Sequence, residues 1–193
     1  DKFYIILFLA LLGSLVCVVT KAGGSYAYGK WATQKIKSKR AAELATSLLG
    51  VLIFIDDYFN CLTVGTVMKP VTDKYKVSRA KLAYIIDTTA APVCIIAPVS
   101  SWAAAVGSTL YETGAFSNEL SAFFATIPYN MYAILSIIMV VTLSATNLEF
   151  GPMANAEWEA EENDNLGAID TMITQGEAEP NTKGTVLDLV IPI

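Results

Sequence analysis

Two clusters of basic residues bracket a stretch of chain too short to cross a membrane twice. Lys30, Lys35, Lys37, Lys39 and Arg40 lie before Ala41–Met68, and Lys69, Lys74, Lys76, Arg79 and Lys81 lie after it. Eleven of the 13 Lys and Arg fall between Lys21 and Lys81, while 54% of the chain is hydrophobic, in long blocks instead of short periodic faces. With a mean hydropathy of +0.49 this composition predicts an all-α integral membrane protein. Lys and Arg concentrate in cytoplasmic loops, so both clusters belong on the cytoplasmic face. Going out and back as full helices takes about 40 residues, at about 20 per crossing. Ala41–Met68 has 28, and a single crossing would put one cluster on each side. A re-entrant hairpin over 41–68 satisfies both limits: a helix enters over Ala41–Ile55, turns at Asp56–Asn60 and returns to Met68. Non-helical backbone at that depth is tolerated only where protein or a watery cavity satisfies it.

The flanking segments fill in a membrane region over 1–146. Phe3–Thr20 predicts a helix over 3–20; its 18 residues exceed a signal-peptide core of about 7–15, and no small-x-small site follows. A broken helix is expected over 79–110: a short helix Arg79–Ile86, an interruption at Asp87–Pro92, where Pro92 lacks a donor and disfavours helix at Ala91, and a second half over Val93–Leu110. Tyr111–Leu120 carries Glu112 and Glu119 but no basic residue, which marks the outer face. A helix over 121–146, kinked at Pro128-Tyr129-Asn130, returns the chain to the inside. Residues 147–184, with nine acids and one Lys, are expected as an acidic cytoplasmic loop, and 185–193 as the start of a further transmembrane helix. The chain begins without Met and ends in an apolar run, so it reads as a fragment of a longer multi-pass protein of the plasma (inner) membrane. The basic clusters would meet anionic lipid head groups.

Asp56 and Asp57 are adjacent acids inside Leu52–Leu62, and a third acid sits in Ile85-Ile86-Asp87-Thr88-Thr89. An ionised side chain at bilayer depth costs about 2.5–3.5 kcal/mol, so such acids face a polar cavity, pair with a cation or carry protons. Helix breaks present unsatisfied carbonyls, and carboxylate, amide and hydroxyl oxygens suit a small hard cation. The ion-binding candidates for Na+ and H+ are therefore Asp56, Asp57, Asn60, Asp87, Thr88 and Thr89, with Thr63, Ser100, Ser101 and Asn130 as candidates for lining the same cavity. Each has a structural alternative: an Asp can cap the returning helix, and Asn, Thr or Ser can satisfy broken backbone or pack between helices. The chain has no His, so a carboxylate must do any proton exchange near neutrality. Cys17, Cys61 and Cys94 show no CxxC spacing, which predicts small buried hydrophobes and no transition-metal site, and Gly23-Gly24 predicts a turn. No cofactor and no nucleic acid partner are expected. An intramembrane aspartyl protease could use Asp57 and Asp87 as a dyad, but the Gly-x-Gly-Asp and Pro-Ala-Leu segments of that class are missing. A cation channel could use the charged re-entrant loop, yet it needs no protonatable exchange site.

Phe54-Ile-Asp-Asp-Tyr-Phe-Asn60, Val64-Gly-Thr-Val-Met-Lys-Pro-Val-Thr-Asp-Lys-Tyr75, Ser78 through Pro92, and Ile96-Ala-Pro-Val-Ser-Ser-Trp102 resemble the NhaC-type Na+/H+ antiporter family. Ala22-Gly-Gly24, Thr126-Ile-Pro-Tyr-Asn130 and Phe150-Gly-Pro-Met153 are similar to further segments of that family. The resemblance implies membership of the ion transporter superfamily, with two inverted repeats, each holding a hairpin and a broken helix, and an elevator-like movement of the transport domain. This chain would supply one repeat and the rest of the same polypeptide the other. The function implied is a secondary active antiporter, not an enzyme, exchanging Na+ for H+. Exchange of small carboxylates such as malate and lactate, coupled to sodium and protons, is the alternative. The partners implied are Na+, H+, the lipid bilayer, a small carboxylate in that alternative, and a second copy in a homo-oligomer.

Overall fold

In a computed structural model of the chain, residues 36–146 and 148–167 are described, together with scattered positions between 7 and 35. Every regular element among the described residues is helical. The helices are α1 (Lys39–Leu52), α2 (Asp57–Lys74), α3 (Arg79–Cys94), α4 (Ser101–Tyr111), α5 (Glu119–Thr126), α6 (Met131–Thr146) and α7 (Gly151–Glu162), with a 3-10 turn at Ile127–Tyr129 between α5 and α6. Most of the helix expected over 3–20 and all of 185–193 lie outside the described residues. Leu7, Ala10, Leu11, Ser14, Cys17 and Val18 are helical, and Gly23 sits in a turn with φ 86°, a left-handed geometry that glycine adopts at no steric cost.

Local chemistry accounts for the boundaries. The Asp56 carboxylate accepts from the Phe59 amide (3.0 Å), so the aspartate caps α2 and separates it from α1 at residues 53–56. Asn118 caps α5 by accepting from Ser121 N (2.8 Å), and Asn130 caps α6 by accepting from Ala133 N (3.2 Å). Pro128 sits in the 3-10 turn that interrupts the segment 121–146.

Two expectations are corrected. The interruption at Asp87–Pro92 is absent: α3 runs unbroken through Asp87, Thr88 and Thr89 to Cys94, and the break falls at 95–100. Pro92 lacks its own donor and its ring crowds the carbonyl four residues earlier, and α3 ends two residues after it. There the Ile96 amide bonds one residue short, to Val93 (3.2 Å), and Pro98 follows. The stretch expected as a polar loop from residue 147 opens with the helix α7, which carries Pro152 in its first turn and buries Glu157 and Ala160.

The described chain divides into two compact units. Unit 1 is Asp1–Ala42, Gly65–Leu82 and Phe150–Ile193; unit 2 is Glu43–Val64 and Ala83–Glu149. The division follows charge: every Lys and Arg among the described residues belongs to unit 1, and unit 2 has seven acids and no Lys or Arg. Within unit 1 the Tyr75 hydroxyl donates to the Ile36 carbonyl, which joins the two basic clusters. Within unit 2, Gly50 of α1 packs against Thr89 of α3 so closely that a Cβ at Gly50 would lie 2.2 Å from Thr89 Oγ1. α4 and α5 meet in the same way, where a Cβ at Gly107 would lie 2.8 Å from the Glu119 carbonyl oxygen.

Among the described residues one stretch, opening with α6 at Met131, is long and apolar enough to cross a membrane by length and composition. Its most apolar window has mean hydropathy 1.8, yet only 24% of it is buried inside the chain. The helices α1, α3 and α4 have 14, 16 and 11 residues. At 1.5 Å per residue they rise about 21, 24 and 16 Å, less than a hydrocarbon core of about 30 Å.

Candidate functional site

The candidate site lies in unit 2, where two helix breaks meet. The last carbonyls of α1 have no partner within their own helix, a feature of every helix C-terminus. Asn60, on the first turns of α2 and fully buried, supplies the donors: its Nδ2 gives one hydrogen to the Gly50 carbonyl and one to the Ile53 carbonyl, each at 2.6 Å. Its backbone amide bonds to the Asp56 carbonyl (3.0 Å). The other side-chain atom, Asn60 Oδ1, is buried without a hydrogen-bond partner among the described residues. A buried carbonyl-type oxygen left unpaired costs the desolvation of that group, so an orphan acceptor calls for a donor, a water or a cation.

The second break, 95–100, is held by Ser100. Its hydroxyl donates to the Cys94 carbonyl (2.6 Å) and accepts from Ala103 N (3.0 Å), capping α4. The two breaks are joined by a backbone bond from Ser101 N to the Ile55 carbonyl (2.9 Å). An open cleft of about 240 Å³ lies against the second break, with Pro98, Ser100 and Glu119 in its walls.

The acids converge on the same region. Cys61, half-buried, lies within electrostatic reach of the Asp87, Asp57 and Asp56 carboxylates, and the buried Cys94 within reach of Asp57 and Asp56. Asp56 is committed to the cap of α2; Asp57 stands in the first turn, where the helix dipole favours negative charge. Among the described residues neither Asp57 nor Asp87 forms an ion pair, and the unit they belong to holds no Lys or Arg.

The remaining candidates divide. Thr88 and Thr89 turn their hydroxyls onto their own helix, to the Tyr84 carbonyl (2.6 Å) and the Ile85 carbonyl (2.7 Å), so their protons are spent and only oxygen lone pairs remain. Thr63 is buried and Ser101 exposed at the start of α4. The Asn130 side chain caps α6 locally and is not tied to the two breaks by a hydrogen bond. Cys61 and Cys94 are two neighbours of the acids that the pattern of cysteines alone leaves as packing; the spacing of four residues after Asp57 is the signal for Cys61, and no spacing in the sequence signals Cys94.

No protein-family model matches the chain, and no solved structure matches it. Over 195 residues it is 43% identical to a protein of Haemophilus influenzae (strain ATCC 51907 / DSM 11121 / KW20 / Rd) described as an uncharacterized protein. The match takes in 98% of this chain and 36% of that protein, so the chain spans about a third of the relative's length.

Proposed function

We propose that this chain is the ion-handling part of a membrane-embedded secondary transporter that exchanges Na+ for H+, of the NhaC type that its motifs resemble. The observation that carries the reading is the meeting of the two helix breaks through Ser101 N and the Ile55 carbonyl, beside a fully buried Asn60 whose Oδ1 has no partner. α1 directs its C-terminal carbonyls to one of these breaks, and helix C-termini favour cations. Asp57 and Asp87 supply carboxylates in a unit without a Lys or Arg to neutralise them. A hard monovalent cation is the partner such an oxygen set fits, and a carboxylate that holds either Na+ or H+ is the minimum chemistry of exchange. The membrane placement is supported by the same cation-free unit and by an apolar window within the stretch that opens at Met131, which the chain itself leaves largely uncovered.

The test is sodium-driven proton flux by the full-length protein in vesicles, with and without malate or lactate. Asp57→Asn and Asp87→Asn should each lower the flux at least about tenfold while the protein stays in the membrane, since each removes a carboxylate that no neighbouring side chain replaces. Wild-type rates in both variants would reduce the two acids to structural roles. A flux that requires malate or lactate would move the assignment to carboxylate exchange.

A further inference from the structure

The acidic segment that follows α6 is folded onto the basic clusters of unit 1. Lys39 pairs with Glu157 and with Glu161 (2.5 Å), and Lys76 pairs with Asp164 (2.7 Å) and donates to the Glu161 carbonyl (3.3 Å). Two backbone amides fix the register: Ser78 N donates to Glu157 Oε1 (2.8 Å), and Arg79 N to the Leu166 carbonyl (2.8 Å). The surface beneath is continuous, because Tyr75 ties the turn at Lys74 and Lys76 to the segment of Lys37 and Lys39.

We propose that this basic face of unit 1 binds anionic phospholipid head groups, and that α7 with residues 163–166 occupies it as an internal polyanion competing with the lipid. Charge complementarity carries the choice of occupant. Lysines gathered on a membrane-proximal face are what a negatively charged leaflet attracts, and the carboxylates of Glu161 and Asp164 present the same chemistry from within the chain. Both of these acids are exposed, at 55% and 75% of their side chains, so their hold on Lys39 and Lys76 is open to screening and exchange. Glu157, nearly buried against Ser78, is the anchor about which the strap would release. The proposal rests on the membrane placement of the chain and not on what it transports.

Ala80→Cys and Leu166→Cys flank the Arg79–Leu166 backbone bond and leave every ion-pairing side chain in place. They are introduced together into the full-length protein with every native cysteine, Cys17, Cys61 and Cys94 among them, changed to Ala. After reconstitution in vesicles of phosphatidylcholine alone, a short bifunctional thiol reagent should join the two positions. Adding about a third of phosphatidylglycerol should lower the joined fraction at least about threefold, and Glu161→Gln with Asp164→Asn should lower it similarly in phosphatidylcholine alone. Equal joining in both lipids would overturn the strap and leave the membrane reading intact. A full-length protein that does not enter either bilayer would overturn both.

Discussion

The two polar atoms of the Asn60 side chain stand in different situations. The nitrogen braces the end of α1 by bonding the Gly50 and Ile53 carbonyls; the oxygen is left unpartnered. Asn60→Ala should therefore destabilise the protein more than Asp56→Ala. The first leaves two carbonyls unpaired in a buried setting, at about 1–3 kcal/mol each. The second loses one cap, worth about 1 kcal/mol. Thermal unfolding of the two variants decides the order, and equal midpoints would remove the brace. Lys39 gives a prediction in pH. Burial alone would lower its pKa, but hydrogen bonds and charge from Glu157 and Glu161 outweigh it and hold the pKa above the ordinary value of 10.5. A group raised on folding contributes stability that is complete below its unfolded pKa and lost as pH climbs through the folded one. The gap in thermal midpoint between wild type and Lys39→Gln should thus stay constant up to about pH 10 and shrink above it. A gap that stays unchanged well above about pH 10 would mean that the charge of Lys39 does not hold the contact.

At the scale of elements, the α1–α3 crossing is the tightest contact available to test. A methyl group at Gly50 would collide with the Thr89 side chain, whose β-branched shape cannot swing away. Gly50→Ala should cost about 1–3 kcal/mol as overpacking, and Thr89→Ala in the same molecule should return part of it. Strictly additive effects of the two substitutions, read from unfolding midpoints, would mean that the helices separate to accommodate the methyl. The same elements show how far the sequence could be read. The break before α2 was legible because Asp56 is both an acid in an apolar run and a favoured cap, two signals at one residue. The break near α3 was misplaced because a proline was read as ending the helix before itself, whereas the Thr88 and Thr89 hydroxyls bond back to the Tyr84 and Ile85 carbonyls in an intact helix. α7 was missed because its acids were weighed as charge. Gly151-Pro152 at its start and alanines at 154, 156 and 160 carried the helical signal.

At the scale of the molecule, the strongest regularity is that the division into compact units follows the division of charge. Four separate changes of unit along the chain, at Ala42, Val64, Leu82 and Glu149, leave every Lys and Arg among the described residues in unit 1. Under the proposed membrane placement this is the pattern expected of a leaflet that retains Lys and Arg on one side. The hydrogen bond from Tyr75 to the Ile36 carbonyl joins the neighbours of Lys37 and Lys74 within unit 1, and the proposed hairpin places both lysines on one face. Single cysteines at Lys37 and Lys74, in a full-length protein otherwise free of cysteine, should both react with an impermeant thiol reagent from the cytoplasmic side of oriented vesicles. A cysteine at Ser117, in the stretch between α4 and α5 that has Glu112 and Glu119 but no basic residue, should react from the opposite side. Labelling of Lys37 and Lys74 from opposite faces would turn residues 41–68 into a single crossing and remove the hairpin. Labelling of all three positions from one side would leave 83–110 without a crossing, and with it the basis for placing the two breaks within the bilayer.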